Sequence, residues 1–282
     1  MFMKRFSILV AVGLVSSLIS LVLGSCAPAE TAQLKVVTST SLLSQIVERV
    51  GGDKVTVINI IPAAQCPGHF DVKPGDIQKL ADAKLFIIHN WQGEKFSEDL
   101  IASANNDNLT VVKIELPGNW MTPPVQRDAT DRIAAALVQI DPDNSAIYQE
   151  SATEYKAEIT AKESEIEDRL SLVNLAGINI LCSEQQAGFL EWVGFNVIST
   201  YGEADSLTPQ VVQELVDKGR QEQVTLVVDN LQSGADVGKE LAEELGCKRI
   251  TLSNFPGGFS NTETWEKAID YNIDQILTAV AK

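Results

Sequence analysis

The sequence predicts an α/β protein of two lobes, each a mostly parallel sheet flanked by helices, joined by one long rigid helix. Short apolar runs alternate with helical stretches in the first half of the chain, and the same alternation returns in the second half. Continuous apolar strands of this kind are typical of a parallel sheet covered on both faces. Residues 143–173 between the halves contain neither glycine nor proline, which favours a single helix there.

The elements of the first half follow one another closely. The chain enters a strand at Val36 and Val37, and the helix that follows stops at Gly51 and Gly52. The other predicted strands of this half are 55–61, 85–88 and 111–114, and its predicted helices are 42–50, 76–83 and 94–104.

The second half has the same pattern. Thr208 can cap a helix that carries Pro209 in its first turn, and the last helix is predicted over 262–280. The predicted strands of this half are 178–181, 224–228 and 249–252.

The linking helix begins at Asp141 and Pro142, and apolar residues recur at helical spacing as far as Val173. About 30 residues at 1.5 Å each give a helix about 45 Å long, which suits a link between two lobes. The alternative, a charged surface helix of one domain, is disfavoured because sheet patterns flank it on both sides. We therefore predict lobes over 34–140 and 174–282, with the linking helix over 141–173.

The N-terminus has the pattern of an export signal. Lys4 and Arg5 precede an apolar run that ends in small residues before Cys26. This resembles the lipobox of bacterial lipoproteins, which implies a signal peptide over 1–25, a lipid-anchored Cys26 outside the cytoplasm and a tether over 26–33. The alternative is an uncleaved membrane anchor, since the run is nearly long enough to span a bilayer.

The formal net charge of −16 argues against a nucleic-acid partner, because nucleic acid selects basic surfaces. A cysteine-dependent enzyme is a competing hypothesis, with Cys182 as nucleophile and His69 or His89 as base. The sequence shows no sharp nucleophile turn, phosphate-binding glycine loop or paired acid/base spacing, so we predict a protein that is not an enzyme.

Four segments carry a resemblance to a known family, in the same order and spacing. They are the opening strand and helix at 36–53, the loop at 67–77, the helix entry at 134–148 and the tail at 241–273. Together they resemble the zinc- and manganese-type substrate-binding proteins of bacterial ABC importers. The resemblance covers nearly the whole chain after the signal, and it implies a metal ion carried in a cleft between the lobes to an ABC permease.

The family's usual ligands are replaced in this chain. Gly68 and Gly118 stand where the family has histidines, Cys182 and Ser183 where it has a third, and Asn254 near its acidic ligand. Ligands of parallel sheets bind at the carboxyl ends of the strands. Thiol, imidazole and carboxylate groups at those ends give a soft donor set that suits a transition metal, with zinc as the first candidate: Cys66, His69, His89, Cys182 and Asp229.

Other roles for these residues remain open. Cys66 and Cys182 could form a disulfide across the cleft, although that bond would obstruct opening. His69 could bond its own turn, and His89 could pack against Trp91. Cys247 lies at the opposite end of its strand and is predicted to be a small buried residue.

A second ligand class stays open beside the bare ion. Hydroxyls at a helix N-terminus, aromatic rings and a cation would suit a metal chelate or a small anionic solute. The predicted cleft residues are Thr40, Ser41, Gly68, Trp91, Trp120, Arg127 and Ser183. Simple helix capping is the alternative role of the hydroxyls of Thr40 and Ser41.

Overall fold

The structure, a computed structural model, describes residues 33–91 and 96–281. The predicted signal peptide, Cys26, most of the tether and the first residues of the helix predicted at 94–104 lie outside these ranges. The strands are β1 Leu34–Thr38, β2 Val55–Asn59, β3 Leu85–His89, β4 Thr110–Ile114, β5 Asn179–Ser183, β6 Asn196–Tyr201, β7 Leu226–Asn230 and β8 Lys248–Leu252. The helices are α1 Ser41–Gly51, α2 Pro74–Ala81, α3 Phe96–Ala104, α4 Pro123–Ile140, α5 Ser145–Leu170, α6 Glu184–Val193, α7 Pro209–Gln221, α8 Lys239–Leu245 and α9 Trp265–Val280.

The eight strands form two parallel four-stranded sheets with the same strand order. The first sheet runs β2-β1-β3-β4 and the second β6-β5-β7-β8. The central strands are apolar because helices cover both faces, and every residue of β3 is buried. We call the part of the chain with the first sheet the first lobe and the part with the second sheet the second lobe. The predicted fold class of two parallel α/β lobes is confirmed.

The strand order reverses at one point in each sheet. The chain leaves β1 for β2 on one side and then returns to β3 on the other side, and β5, β6 and β7 repeat this path. The carboxyl ends of strands diverge at such a reversal and leave a crevice, which is where ligands of open parallel sheets bind. The crevices of the two sheets therefore position the candidate site.

The helix α5 connects the two lobes and packs against α1, α4 and α9. Its 26 residues span about 39 Å. The apolar residues at helical spacing face inward, and Tyr148, Tyr155, Ile159 and Ile166 are fully buried. It begins four residues later than Asp141, because residues 142–144 form a 3₁₀ turn, and it ends at Leu170.

A buried chain of hydrogen bonds ties α5 to the cleft. The Tyr155 hydroxyl donates to Gln45 Oε1 at 2.9 Å, and Gln45 Nε2 donates to Gln126 Oε1 at 3.0 Å. Gln126 Nε2 then donates to the carbonyl of Trp120 at 2.7 Å. Three helices, α1, α4 and α5, thus hold the loop that contains Trp120.

Across the described ranges, no helix has both the length and the apolar character needed to cross a membrane.

Candidate functional site

A cavity of about 600 Å³ lies where the carboxyl ends of the two sheets meet. The segments that follow all eight strands, loops or helix starts, contribute to its wall, which places the cavity at the ligand-binding end of both sheets. The first lobe supplies Leu42, Cys66, Pro67, Gly68, Trp91, Gly118, Asn119 and Trp120. The second lobe supplies Glu184, Gln185, Gly188, Glu203, Asn230, Gln232, Ser233, Asn254 and Phe255.

Three possible metal donors, from both lobes, meet at this cleft. Cys66 and His69 come from the loop after β2, and Glu203 follows β6. The Cys66 Sγ lies 3.5 Å from Glu203 Oε1, and His69 Nε2 lies 3.4 Å from Glu203 Oε2. One ligand atom from each residue lies within 4.8 Å of the others. We call these three residues the donor cluster.

The local backbone explains why Cys66 and His69 point to the same place. Pro67–His69 forms one 3₁₀ turn, and the N–H of His69 donates to the carbonyl of Cys66 at 3.1 Å. Residues three apart are eclipsed in such a turn, so the two side chains emerge on one side. Gln65 Nε2 also donates to the carbonyl of His69 at 3.2 Å, which closes the loop.

The electrostatics of the donor cluster favour a cation. Burial raises the pKa of the half-buried Cys66 thiol, and the negative charge of Glu203 beside it raises that pKa further. The His69 side chain is 67% exposed and the Glu203 side chain 27%, so an ion can reach the cluster from solvent. A bound cation would offset the repulsion between a Cys66 thiolate and the Glu203 carboxylate.

Sequence reasoning missed Glu203, because it missed the strand β6 that carries it. The residues of β6 are mostly half-buried, since β6 lies at the edge of its sheet. Its sequence includes Ser199 and Thr200 and is therefore not a continuous apolar run. The remaining signal was the short Tyr201-Gly202-Glu203 segment, which places an acidic residue directly after a strand.

His89 does not join the donor cluster. Its ring is 1% exposed, stacks on Trp91 at 3.6 Å between centroids and meets the edge of Trp120 at 4.3 Å. The Thr40 hydroxyl lies 2.8 Å from His89 Nε2, and burial holds the pKa of His89 well below its ordinary value. His89 is a neutral ring that supports the aromatic wall of the cleft.

Cys182 and Asp229 also lie apart from the donor cluster. Cys182 is completely buried in the hydrophobic core, and burial raises the pKa of its thiol to about 12. The carboxylate of Asp229 is fully occupied by Arg249, Tyr201 and the N–H of Gly238, each at 2.7 Å. The predicted five-donor set is thus reduced to Cys66 and His69 by geometry.

The three described cysteines, Cys66, Cys182 and Cys247, are free thiols. The alternative of a disulfide between Cys66 and Cys182 is therefore not found. Cys247 is only half-buried, and it packs against the apolar cluster of the second lobe.

The predicted cleft residues divide into two groups. Gly68, Trp91 and Trp120 line the cavity. The other four predicted cleft residues do not line it. Thr40 contacts His89, and Ser41 begins α1. Arg127 pairs with Glu163 at 2.5 Å, and the Ser183 hydroxyl donates to Gln185 at 2.8 Å. Arg127, the cation predicted to accompany the anion site at Thr40 and Ser41, is paired with Glu163 instead.

Side-chain amides form part of the polar wall of the cleft, and sequence reasoning singled out only Asn254 among them. Asn119 of the first lobe donates to Asn254 Oδ1 at 3.0 Å and to the carbonyl of Gln185 at 2.9 Å. Gln232 of the second lobe donates to the carbonyl of Ala63 at 2.8 Å. These bonds cross between the lobes and hold the cleft closed around the cavity.

Residues 36–279 match the ZnuA family, which is described as the periplasmic component A of a zinc-uptake complex. The chain belongs to this family. ZnuA-type proteins are solute-binding components of ABC importers with transition metal ions as transported ligands. As a ZnuA-family protein, the chain is a binding component that works outside the cytoplasm with an importer, and it is not an enzyme.

Individual relatives of this ZnuA-family chain are distant but cover nearly its whole length. The metal ABC transporter substrate-binding lipoprotein SsaB of Streptococcus sanguinis is 24% identical, with 91% of this chain and 92% of that protein covered. The manganese-binding lipoprotein MntA of Halalkalibacterium halodurans is 22% identical, with coverages of 94% and 96%. The solved structure of FpvC of Pseudomonas aeruginosa with Ni²⁺ is similar to this chain with a TM-score of 0.76 and 18% identity. The match covers 88% of this chain and 97% of that chain, which shows that the two share a fold.

Proposed function

We propose that the transported ligand is zinc, held between the lobes by Cys66, His69 and Glu203. The observation that carries this proposal is the convergence of these three donors at the cleft. Thiolate and imidazole suit zinc better than manganese, which prefers oxygen ligands. The Cys66 thiolate therefore separates this chain from a manganese carrier, although manganese appears in the names of relatives such as MntA.

The spacing of the donors suits a tetrahedral zinc ion. Zinc lies about 2.3 Å from sulfur and about 2.0–2.1 Å from nitrogen or oxygen, so its ligands are about 3.3–3.5 Å apart. The sulfur–oxygen and nitrogen–oxygen separations in the donor cluster are 3.5 Å and 3.4 Å. These two contacts are to different oxygens of Glu203, and one ligand atom of each residue lies within 4.8 Å of the others. The three side chains must therefore close by up to about 1.3 Å to bind the ion, and one position of a tetrahedron stays open.

The placement of the donors suits delivery to an importer. Two donors belong to the first lobe and one to the second, so the bound ion joins the lobes. A permease could then distinguish the loaded protein from the empty one by the closure of the cleft. Lipidation of Cys26 would keep the protein at the membrane beside that permease, as the lipoprotein names of SsaB and MntA suggest.

A zinc-affinity comparison tests the donor cluster. Competition with a chromophoric chelator should show that Cys66→Ser and Glu203→Gln each weaken zinc binding by more than about 100-fold, because even an outer-sphere partner of a metal ligand is worth about 10–100-fold. Cys247→Ser is the matched control, since this thiol lies outside the cleft. Equal zinc affinity of wild type and the Cys66→Ser variant would refute the proposal.

A further inference from the structure

The cavity is far larger than a metal ion requires. A zinc ion bound by the donor cluster sits within about 2.3 Å of each donor. The cleft beside it has a volume of about 600 Å³, which falls in the range of sites for small organic molecules. Much of the space enclosed by the lobes is therefore left over when only the ion is bound.

The wall of this space is built for an organic group. Trp91, Trp120 and Phe255 line it, and the rings of Trp91 and Phe255, one from each lobe, are nearly parallel, with 18° between their planes and 6.3 Å between centroids. Trp120 is only 3% exposed, and its Nε1–H has no hydrogen-bond acceptor within residues 33–91 and 96–281. This nitrogen is itself buried, so the wall presents aromatic ring surface to a bound molecule.

The charge of the wall limits what that molecule can be. Glu184 and Glu203 line the cavity, and none of the described lining residues is lysine or arginine. A strongly anionic solute would be repelled, whereas a metal complex with net positive charge or none would be accepted. This favours the metal chelate over the anionic solute.

We infer that the cleft binds its metal together with a small organic chelator that carries a flat apolar part. Cys66, His69 and Glu203 hold the metal. The two donor atoms of the chelator take the position that they leave open and a fifth position, since zinc can expand from four ligands to five. The flat part of the chelator lies against Trp91 and Phe255. The inference rests on the proposed function, because it requires the metal to be held by the donor cluster.

Two isomeric ligands test the inference. Picolinate, pyridine-2-carboxylate, chelates zinc through its nitrogen and one oxygen, while nicotinate, pyridine-3-carboxylate, has the same mass and charge and cannot chelate. Native mass spectrometry of the protein with zinc and either ligand should show a protein–zinc–picolinate species and no nicotinate counterpart. Picolinate should also raise the apparent zinc affinity at least about tenfold, and Trp91→Leu should reduce that gain.

The possible results separate the inference from the proposed function. If zinc binds but picolinate is not retained, or is retained no better than nicotinate, the inference that a chelator binds with the metal is overturned. The proposed zinc site would be unaffected by that result. If picolinate binds equally without zinc, the ring site does not depend on metal and the inference is overturned. If Cys66→Ser retains zinc as well as wild type does, the proposed function fails and the inference fails with it. If Trp91→Leu does not fold, the comparison of picolinate with nicotinate in the wild type still decides.

Discussion

The two histidines of the chain show how strongly the surroundings of a residue decide its role. His69 lies on an exposed turn, 3.4 Å from a carboxylate oxygen, where it can reach a cation. His89 lies at the end of a buried strand between two tryptophan rings. The sequence predicted both histidines near strand ends. The exposed His69 is a candidate ligand, whereas the buried His89 packs against aromatic rings.

The buried His89 should make the protein sensitive to mild acid. Its pKa in the folded state lies well below the ordinary value of about 6.5, so the unfolded state binds more protons as the pH falls. The free energy of unfolding should therefore decrease as the pH falls below about 6.5, by at most about 2 kcal/mol between pH 7 and pH 5 from this residue alone. Above about pH 7, His89 is neutral in both states and should no longer change the free energy of unfolding with pH.

Urea unfolding of the metal-free protein at pH 7 and pH 5 measures this effect. His89→Gln removes the titrating group while keeping a polar group near Thr40. Between pH 7 and pH 5 the variant should therefore lose less free energy of unfolding than wild type. An identical loss in both proteins would show that His89 is not the group responsible.

Among the elements, α5 contributes more than a link between lobes. Its buried face presents Tyr155 to the hydrogen-bond chain that runs through Gln45 and Gln126 to the loop of Trp120. Each of these buried side-chain bonds leaves a polar atom unsatisfied when it is broken. The helix therefore stabilises the aromatic wall of the cleft.

Tyr155→Phe tests this link. The variant should lower the free energy of unfolding by about 1–3 kcal/mol, because Gln45 Oε1 stays buried without its donor. Tyr271→Phe is the matched control, since the Tyr271 hydroxyl makes no hydrogen bond within residues 33–91 and 96–281 and should cost much less. A Tyr155→Phe variant as stable as that control, by urea unfolding, would contradict the role of the chain.

The elements also show what the sequence could reveal. Buried strands such as β3 are continuous apolar runs and were predicted, whereas the half-buried edge strand β6 was not, and Glu203 was missed with it. Cys182 was predicted to follow its strand at the ligand-binding end, but it lies within β5. Successive side chains of a strand point to opposite faces, and the Cys182 side chain faces the core. Hydrophobic periodicity in the sequence predicts where a strand lies. Only the folded structure shows which face of the sheet each side chain occupies and which residues it contacts.

At the scale of the whole molecule, the closed cleft and the donor cluster belong to one arrangement. Asn119 and Gln232 donate across the lobes, and Cys66 meets Glu203 at the same cleft. Neither lobe alone holds the three donors. In the proposed site, metal binding requires both lobes, and local motifs in the sequence revealed only two of the three donors.

The central claim is that zinc is bound by one thiolate, from Cys66, together with nitrogen and oxygen ligands. X-ray absorption at the zinc edge measures this directly, because sulfur lies at about 2.3 Å and nitrogen or oxygen at about 2.0–2.1 Å. The zinc-loaded protein should show one sulfur ligand, and that sulfur should be absent in the Cys66→Ser variant and present in Cys247→Ser. A zinc environment of nitrogen and oxygen alone in the wild type, or a sulfur that persists in Cys66→Ser, would contradict the claim.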